Sequence, residues 1–95
     1  MIDLTQISTH RLIAWYLIAS YGYYIELDGP MSDQSYDAVC KELMRRDVSQ
    51  DEHGYLIEED ALAAGTGHQI PLSSYPNIVM NSLGQFAQFC KENSL

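Results

Sequence analysis

Tyr23-Tyr24-Ile25-Glu26-Leu27-Asp28-Gly29-Pro30-Met31-Ser32-Asp33-Gln34-Ser35-Tyr36-Asp37 is the stretch whose reading decides the fold. Its centre, Asp28-Gly29-Pro30, breaks a helix: Gly29 can adopt the backbone angles that end one, and Pro30 cannot continue one. Ser32 then offers a side-chain oxygen as an N-cap for a second helix beginning at Asp33. Upstream, Ser8 or Thr9 can cap a first helix that runs to about Glu26. Its middle, Leu12-Ile13-Ala14-Trp15-Tyr16-Leu17-Ile18-Ala19, is apolar nearly all round. A surface helix keeps one polar face. This one is expected at the centre of the fold, with a second apolar face for a partner as the other reading. Downstream, Tyr36, Val39, Cys40, Leu43 and Met44 recur at helical spacing and predict the buried stripe of a helix over 33–46. Arg45 and Arg46 near its end suit the helix dipole. Residues 8–26 and 33–46 therefore form a helix-turn-helix hairpin.

The second half, 47–95, is less regular. Asp47–Gly54 reads as a polar connection. Tyr55-Leu56-Ile57 fits a short strand or the lead-in to a helix. Glu58-Glu59-Asp60 places three acids in the first turn of a short helix that ends before Gly65. The stretch 65–76 is rich in Gly, Ser and Pro and reads as a loop. A longer last helix over 77–92 would bury Val79, Leu83, Phe86, Ala87 and Cys90. Gly84 inside it costs about 1 kcal/mol relative to Ala and is expected to mark a close helix contact. The fold class is mainly α, and 95 residues suit one small domain.

Composition narrows the function. With 13 acids against five Lys and Arg, the net charge is −8. A nucleic-acid backbone requires clustered cations, so direct nucleic-acid binding is not expected. A basic protein partner suits the surface better. Cys40 and Cys90 sit in apolar helical patterns and read as buried, reduced thiols of a cytoplasmic protein. The start lacks a signal-peptide pattern, and the apolar run is too short to span a bilayer. His10, His53 and His68 show no metal-ligand spacing and read as surface or capping residues, so no metal is expected. Gly65-Thr66-Gly67 lacks the third glycine and the strand of a dinucleotide fingerprint.

The turn segment carries the one specific chemical signal. Asp33, Tyr36 and Asp37 share a face on the first turn of the second helix. A hairpin brings Tyr23 and Tyr24 towards the same rim. Aromatic faces take a flat cationic ring, and carboxylates accept hydrogen bonds from hydroxyls or an amide. Nicotinamide attached to ribose fits that description. The same spacing also fits an ordinary capped helix with Tyr36 in its core stripe.

The segment resembles the N-terminal helical subdomain of bacterial NAD-dependent DNA ligases. That family shows a Tyr-Tyr or Tyr-His pair, a turn, then Ser-Asp-x-x-Tyr-Asp, and the present residues align without a gap. In those ligases the subdomain closes over NAD and holds its nicotinamide mononucleotide half. The resemblance implies that Tyr23, Tyr24, Asp33, Tyr36 and Asp37 occupy ligand-binding positions for nicotinamide mononucleotide or NAD. It covers the hairpin over 8–46; residues 47–95 resemble no family. The ligases continue into a nucleotidyltransferase domain with a Lys-x-Asp-Gly motif. Here Lys41 and Lys91 are followed by Glu42 and Glu92, so no adenylated lysine is expected. The chain thus reads as a non-catalytic, ligase-subdomain-like protein that acts with a protein partner. The alternative is a small acidic interaction or inhibitor protein, similar to phage-encoded modulators of host enzymes, that reuses the hairpin without the ligand.

Overall fold

A computed structural model describes residues 2–95. Five α-helices follow one another: α1 (Thr9–Tyr24), α2 (Asp33–Met44), α3 (Glu59–Ala64), α4 (Asn77–Asn81) and α5 (Leu83–Glu92). Short 3-10 turns lie at Leu4–Gln6, Gly54–Leu56 and Leu72–Ser74. No strand occurs among the described residues, so the fold is mainly α as its patterning predicts.

The all-apolar helix is central. From Leu12 to Gly22 every residue of α1 except Ala14 is buried. It packs against α2 on one side and against α4 and α5 on the other; α3 lies behind α2. Removing a side chain such as Leu12 or Leu17 from water contributes about 1.5–3 kcal/mol, and both are fully buried. Ser8 caps α1 by accepting from the Arg11 N–H, and Ser32 caps α2 by accepting from the Ser35 N–H. No helix among the described residues is long and apolar enough to cross a membrane.

Several boundaries differ from the sequence reading. α1 ends at Tyr24 because Leu27, not Gly29, adopts the left-handed conformation, with φ of 56°. The chain then folds back, and the Asp28 N–H reaches the Gly22 carbonyl at 2.8 Å. α2 ends at Met44 because Arg45 and Arg46 donate to carbonyls only three residues back, which tightens the last turn. Met44 leaves the buried stripe and stands 43% exposed. Arg46 does more than complement a dipole. Its guanidinium donates to Glu42, to the carbonyls of Leu4 and Ile7, and to the Thr9 hydroxyl, fastening the N-terminal segment to α2.

Of the segment Tyr55-Leu56-Ile57, Tyr55 and Leu56 lie on the 3-10 turn rather than a strand, and Ile57 follows it as the lead-in to α3, which has Glu58 at its N-cap and begins at Glu59. α3 ends as expected, at Gly65 in the left-handed region with φ of 69°. The last helix is broken at Ser82, whose hydroxyl donates to the Ile78 carbonyl at 2.6 Å; such back-bonding bends helices. Val79, Phe86 and Cys90 are buried, whereas Leu83 and Ala87 are only partly so. Gly84 faces open space, with nothing within 4 Å of where a Cβ would stand, so it marks no helix contact.

Candidate functional site

Tyr23 and Tyr24 close α1, and the turn brings Asp33 back beside them. This return needs space that only small residues leave. A Cβ on Gly29 would stand 2.6 Å from the Tyr23 ring, and one on Gly22 2.6 Å from the Pro30 ring. Gly29 thus serves close approach rather than helix termination. The Tyr23 hydroxyl lies 2.6 Å from both the Asp33 carboxylate and the Met31 carbonyl, and its one proton is shared between them. Burial, then the neighbouring Asp33, raises the pKa of Tyr23 well above the usual phenol value, so it remains a donor.

The five residues singled out by the sequence occupy two levels. Tyr23, Tyr24, Asp33 and Asp37 form a rim. Tyr24 is 38% exposed, Asp33 is exposed and Asp37 is half-exposed. The rings of Tyr23 and Tyr24 stand 6.1 Å apart, tilted by 42°. Tyr36 lies beneath the rim and is only 4% exposed. It stacks on Tyr16 at 5.8 Å, meets Tyr23 edge-on at 5.5 Å, and pairs its hydroxyl with Ser20 Oγ at 2.8 Å. Burial raises its pKa strongly. Tyr36 therefore cannot offer a face to a ligand; it fixes the ring that can. Asp37 pairs with Lys41 at 2.9 Å, and that bond raises the Lys41 pKa.

Sequence reading missed the loop after α3. A Cβ on Gly65 would stand 3.3 Å from the Asp37 carboxylate. The Thr66 carbonyl accepts from the Tyr16 hydroxyl at 2.8 Å, and Thr66 Oγ1 donates to the Tyr24 hydroxyl at 3.0 Å. Gly67 lies directly on the Ser20–Tyr36 pair: a Cβ there would stand 2.9 Å from the Tyr36 hydroxyl. His68 meets the Tyr24 ring edge-on at 6.3 Å. Residues 65–68 are thus part of the rim. Their small, polar composition is that of any loop, and no local pattern links Thr66 to a tyrosine 42 positions earlier.

Other nucleophiles are sequestered. Cys40 and Cys90 are free, buried thiols; burial pushes Cys40 up to about 12 and Cys90 up to about 11. Among the described residues no three His, Cys, Asp or Glu side chains are grouped to hold a metal ion. A separate hollow of about 600 Å³ lies between the end of α2 and residues 47–62, floored by Leu43, Val48, Ile57 and Leu62. Its lining also includes Tyr55, Ser49 and the carboxylates of Asp47, Asp51 and Glu59.

Comparison with family models, characterised proteins and solved structures returned no match for this chain. The chemistry of the rim accordingly rests on its own residues.

Proposed function

We propose that this chain is a non-catalytic recognition module for nicotinamide mononucleotide, free or as half of NAD, and that Tyr23, Tyr24, Asp33 and Asp37 form its ligand wall. One observation carries the reading: the short Tyr23–Asp33 hydrogen bond, which locks an aromatic ring against a carboxylate with Tyr24 and Asp37 open beside them. A pyridinium ring lies favourably on tyrosine faces. The carboxylates accept from ribose hydroxyls or the carboxamide. The resemblance of residues 23–37 to the ligase subdomain supports the same ligand. Tyr36 acts from below by holding Tyr23.

The wall is open on one side, so binding by this chain alone is weak, about millimolar. A protein partner supplies the opposite wall, complementing or competing with a ligase. No step of catalysis is assigned, because Lys41 is paired with Asp37 and both thiols are buried. Titration of the labelled full chain with millimolar nicotinamide mononucleotide tests the proposal by NMR. The amides of residues 23, 24, 33 and 37 are expected to shift together and saturably. Shifts confined to other parts of the chain would refute it.

A second reading, an acidic interaction or inhibitor protein, is favoured by a different feature. Met44 and Tyr55 stand 43% and 72% exposed at the edge of the 600 Å³ hollow. Affinity capture from a host lysate with the native chain and with Tyr55→Glu separates the outcomes. A stoichiometric partner lost with the variant supports this reading; equal recovery by both proteins removes the hollow from it.

A further inference from the structure

The negative charge of the chain is unevenly placed. Residues 47–60 hold six acids, Asp47, Asp51, Glu52, Glu58, Glu59 and Asp60, and no Lys or Arg. This run forms one side of the hollow beside α2. The floor is apolar, and Met44 and Tyr55 stand exposed at its edge. The hollow measures about 600 Å³, within the range of about 300–1,000 Å³ usual for binding pockets.

Its wall is built rather than loose. The Asp51 N–H donates to the Val48 carbonyl at 3.2 Å, the Gly54 N–H to the Asp51 carbonyl at 3.0 Å, and the Ile57 N–H to the Gly54 carbonyl at 3.0 Å. Gly54 is seated against the Val48 carbonyl and leaves no room for a side chain. The Asp51 carboxylate ties the wall down: it accepts from the His53 N–H at 2.9 Å and meets His10 Nδ1 of α1 at 2.6 Å. On the α2 side, the Arg46 guanidinium is committed to Glu42 and to the N-terminal segment. The charges left for an occupant are those of Asp47 and Glu59, both exposed. Hydrogen bonds from the Ser49 hydroxyl and backbone hold the Asp47 carboxyl below the usual carboxylate range, so it stays ionised.

An occupant must match the apolar floor and the acidic edge together. Phosphates and other anions are repelled by that edge. A second copy of the chain brings the same charge of −8, and its α2 cations are already paired, Lys41 with Asp37 and both Arg45 and Arg46 with Glu42. A polypeptide with large apolar side chains beside Lys or Arg satisfies both features. Tyrosine is a frequent anchor of protein contacts, and methionine adapts its shape to a partner. We propose that the hollow docks a short basic segment of a partner protein, its apolar side chains on the floor between Met44 and Tyr55 and its cations on Asp47 and Glu59. The inference rests on the reading of this chain as an interaction protein and adds the chemistry of the partner; it is independent of the tyrosine rim.

Selection from a displayed random-peptide library on the native full chain, followed by NMR mapping of the enriched peptides, provides the test. Enriched sequences are expected to combine Lys or Arg with Leu, Phe or Trp and to shift the amides of Met44, Tyr55 and Leu62. Their affinity is expected to weaken with added salt. It is expected to fall about tenfold in the double variant Asp47→Asn, Glu59→Gln, the scale of two exposed ion pairs. Peptides that shift these amides but carry no cationic bias, or that bind the double variant equally well, would overturn the basic partner and leave the interaction reading standing. Self-association that shifts the same amides would place a second copy in the hollow and overturn it too. No enrichment, or shifts confined to other parts of the chain, would remove the hollow from the interaction reading and the proposal with it.

Discussion

The two sides of α1 are held by different physics. Towards α5 the contact is dry: Trp15 packs against Phe86 and Phe89 at 6.1 and 5.4 Å, and among the described residues no hydrogen bond joins α1 to α5. Towards α2 and the 65–68 loop the contact is built from tyrosines, each tied by its hydroxyl: Tyr16 to Thr66, Tyr23 to Asp33, Tyr24 to Thr66 and Tyr36 to Ser20. Apolar packing is non-directional and tolerates adjustment, whereas hydroxyl networks fix geometry and penalise any unpaired member. The dry side supplies cohesion and the tyrosine side supplies position. A rim that must present rings and carboxylates in register belongs on the second.

Breaking the dry side should cost most. Trp15→Ala is expected to lose about 3–5 kcal/mol in urea unfolding, since a large buried ring leaves a cavity. Gly67→Ala attacks the tyrosine side sterically, because a Cβ would stand 2.7 Å from Ser20 Cβ; about 1–3 kcal/mol is expected from the same measurement. Tyr36→Phe leaves Ser20 Oγ buried without its partner and should cost about 1–2 kcal/mol. Adding Ser20→Ala should recover part of that loss, and a double-mutant cycle reads the coupling. Equal additive losses would mean that the pair is not a unit.

Alkali separates the two sides as well. Burial raises the pKa of Tyr36 above its ordinary 10.0. Below that value both folded and unfolded chains hold the proton, and the stabilisation is complete. As pH rises above it, the unfolded chain ionises while the folded chain resists, so stability falls until the folded value is passed. Tyr36→Phe should flatten the loss between pH 10 and 11 by about 1 kcal/mol per pH unit at most. Cys40 and Cys90, both raised by burial, contribute to the same decline. Tyr16, Tyr23 and Tyr75, also raised by burial, add to it, so the difference between native and variant chains is the share of Tyr36 alone. The smallest effect is expected for Tyr24→Phe, at a partly exposed ring, within about 0.5 kcal/mol of native stability.

What the sequence made legible follows the same division. The hairpin was readable because Ser8, Ser32 and the apolar run Leu12–Ala19 act locally, through capping and burial. The exact ends were not, because Leu27 in a left-handed conformation and Ser82 bonding back to Ile78 are choices made by the packed structure. Of the candidate site, the turn that gathers Tyr23, Asp33 and Asp37 was legible from spacing alone. The burial of Tyr36 was half visible, since it falls on both the core stripe and the acidic face. The contribution of Thr66 and His68 was invisible, because a loop returning over α1 leaves no periodic trace.

On the proposed reading, half-buried Tyr23, exposed Tyr24 and the carboxylates of Asp33 and Asp37 hold a nicotinamide ring. A crystal structure of the chain soaked with nicotinamide mononucleotide tests it most directly. The ring is expected against Tyr23 and Tyr24, with ribose hydroxyls on Asp33 or Asp37. A ring found instead in the hollow beside Met44 and Tyr55, or a rim left empty at saturating ligand, would contradict it.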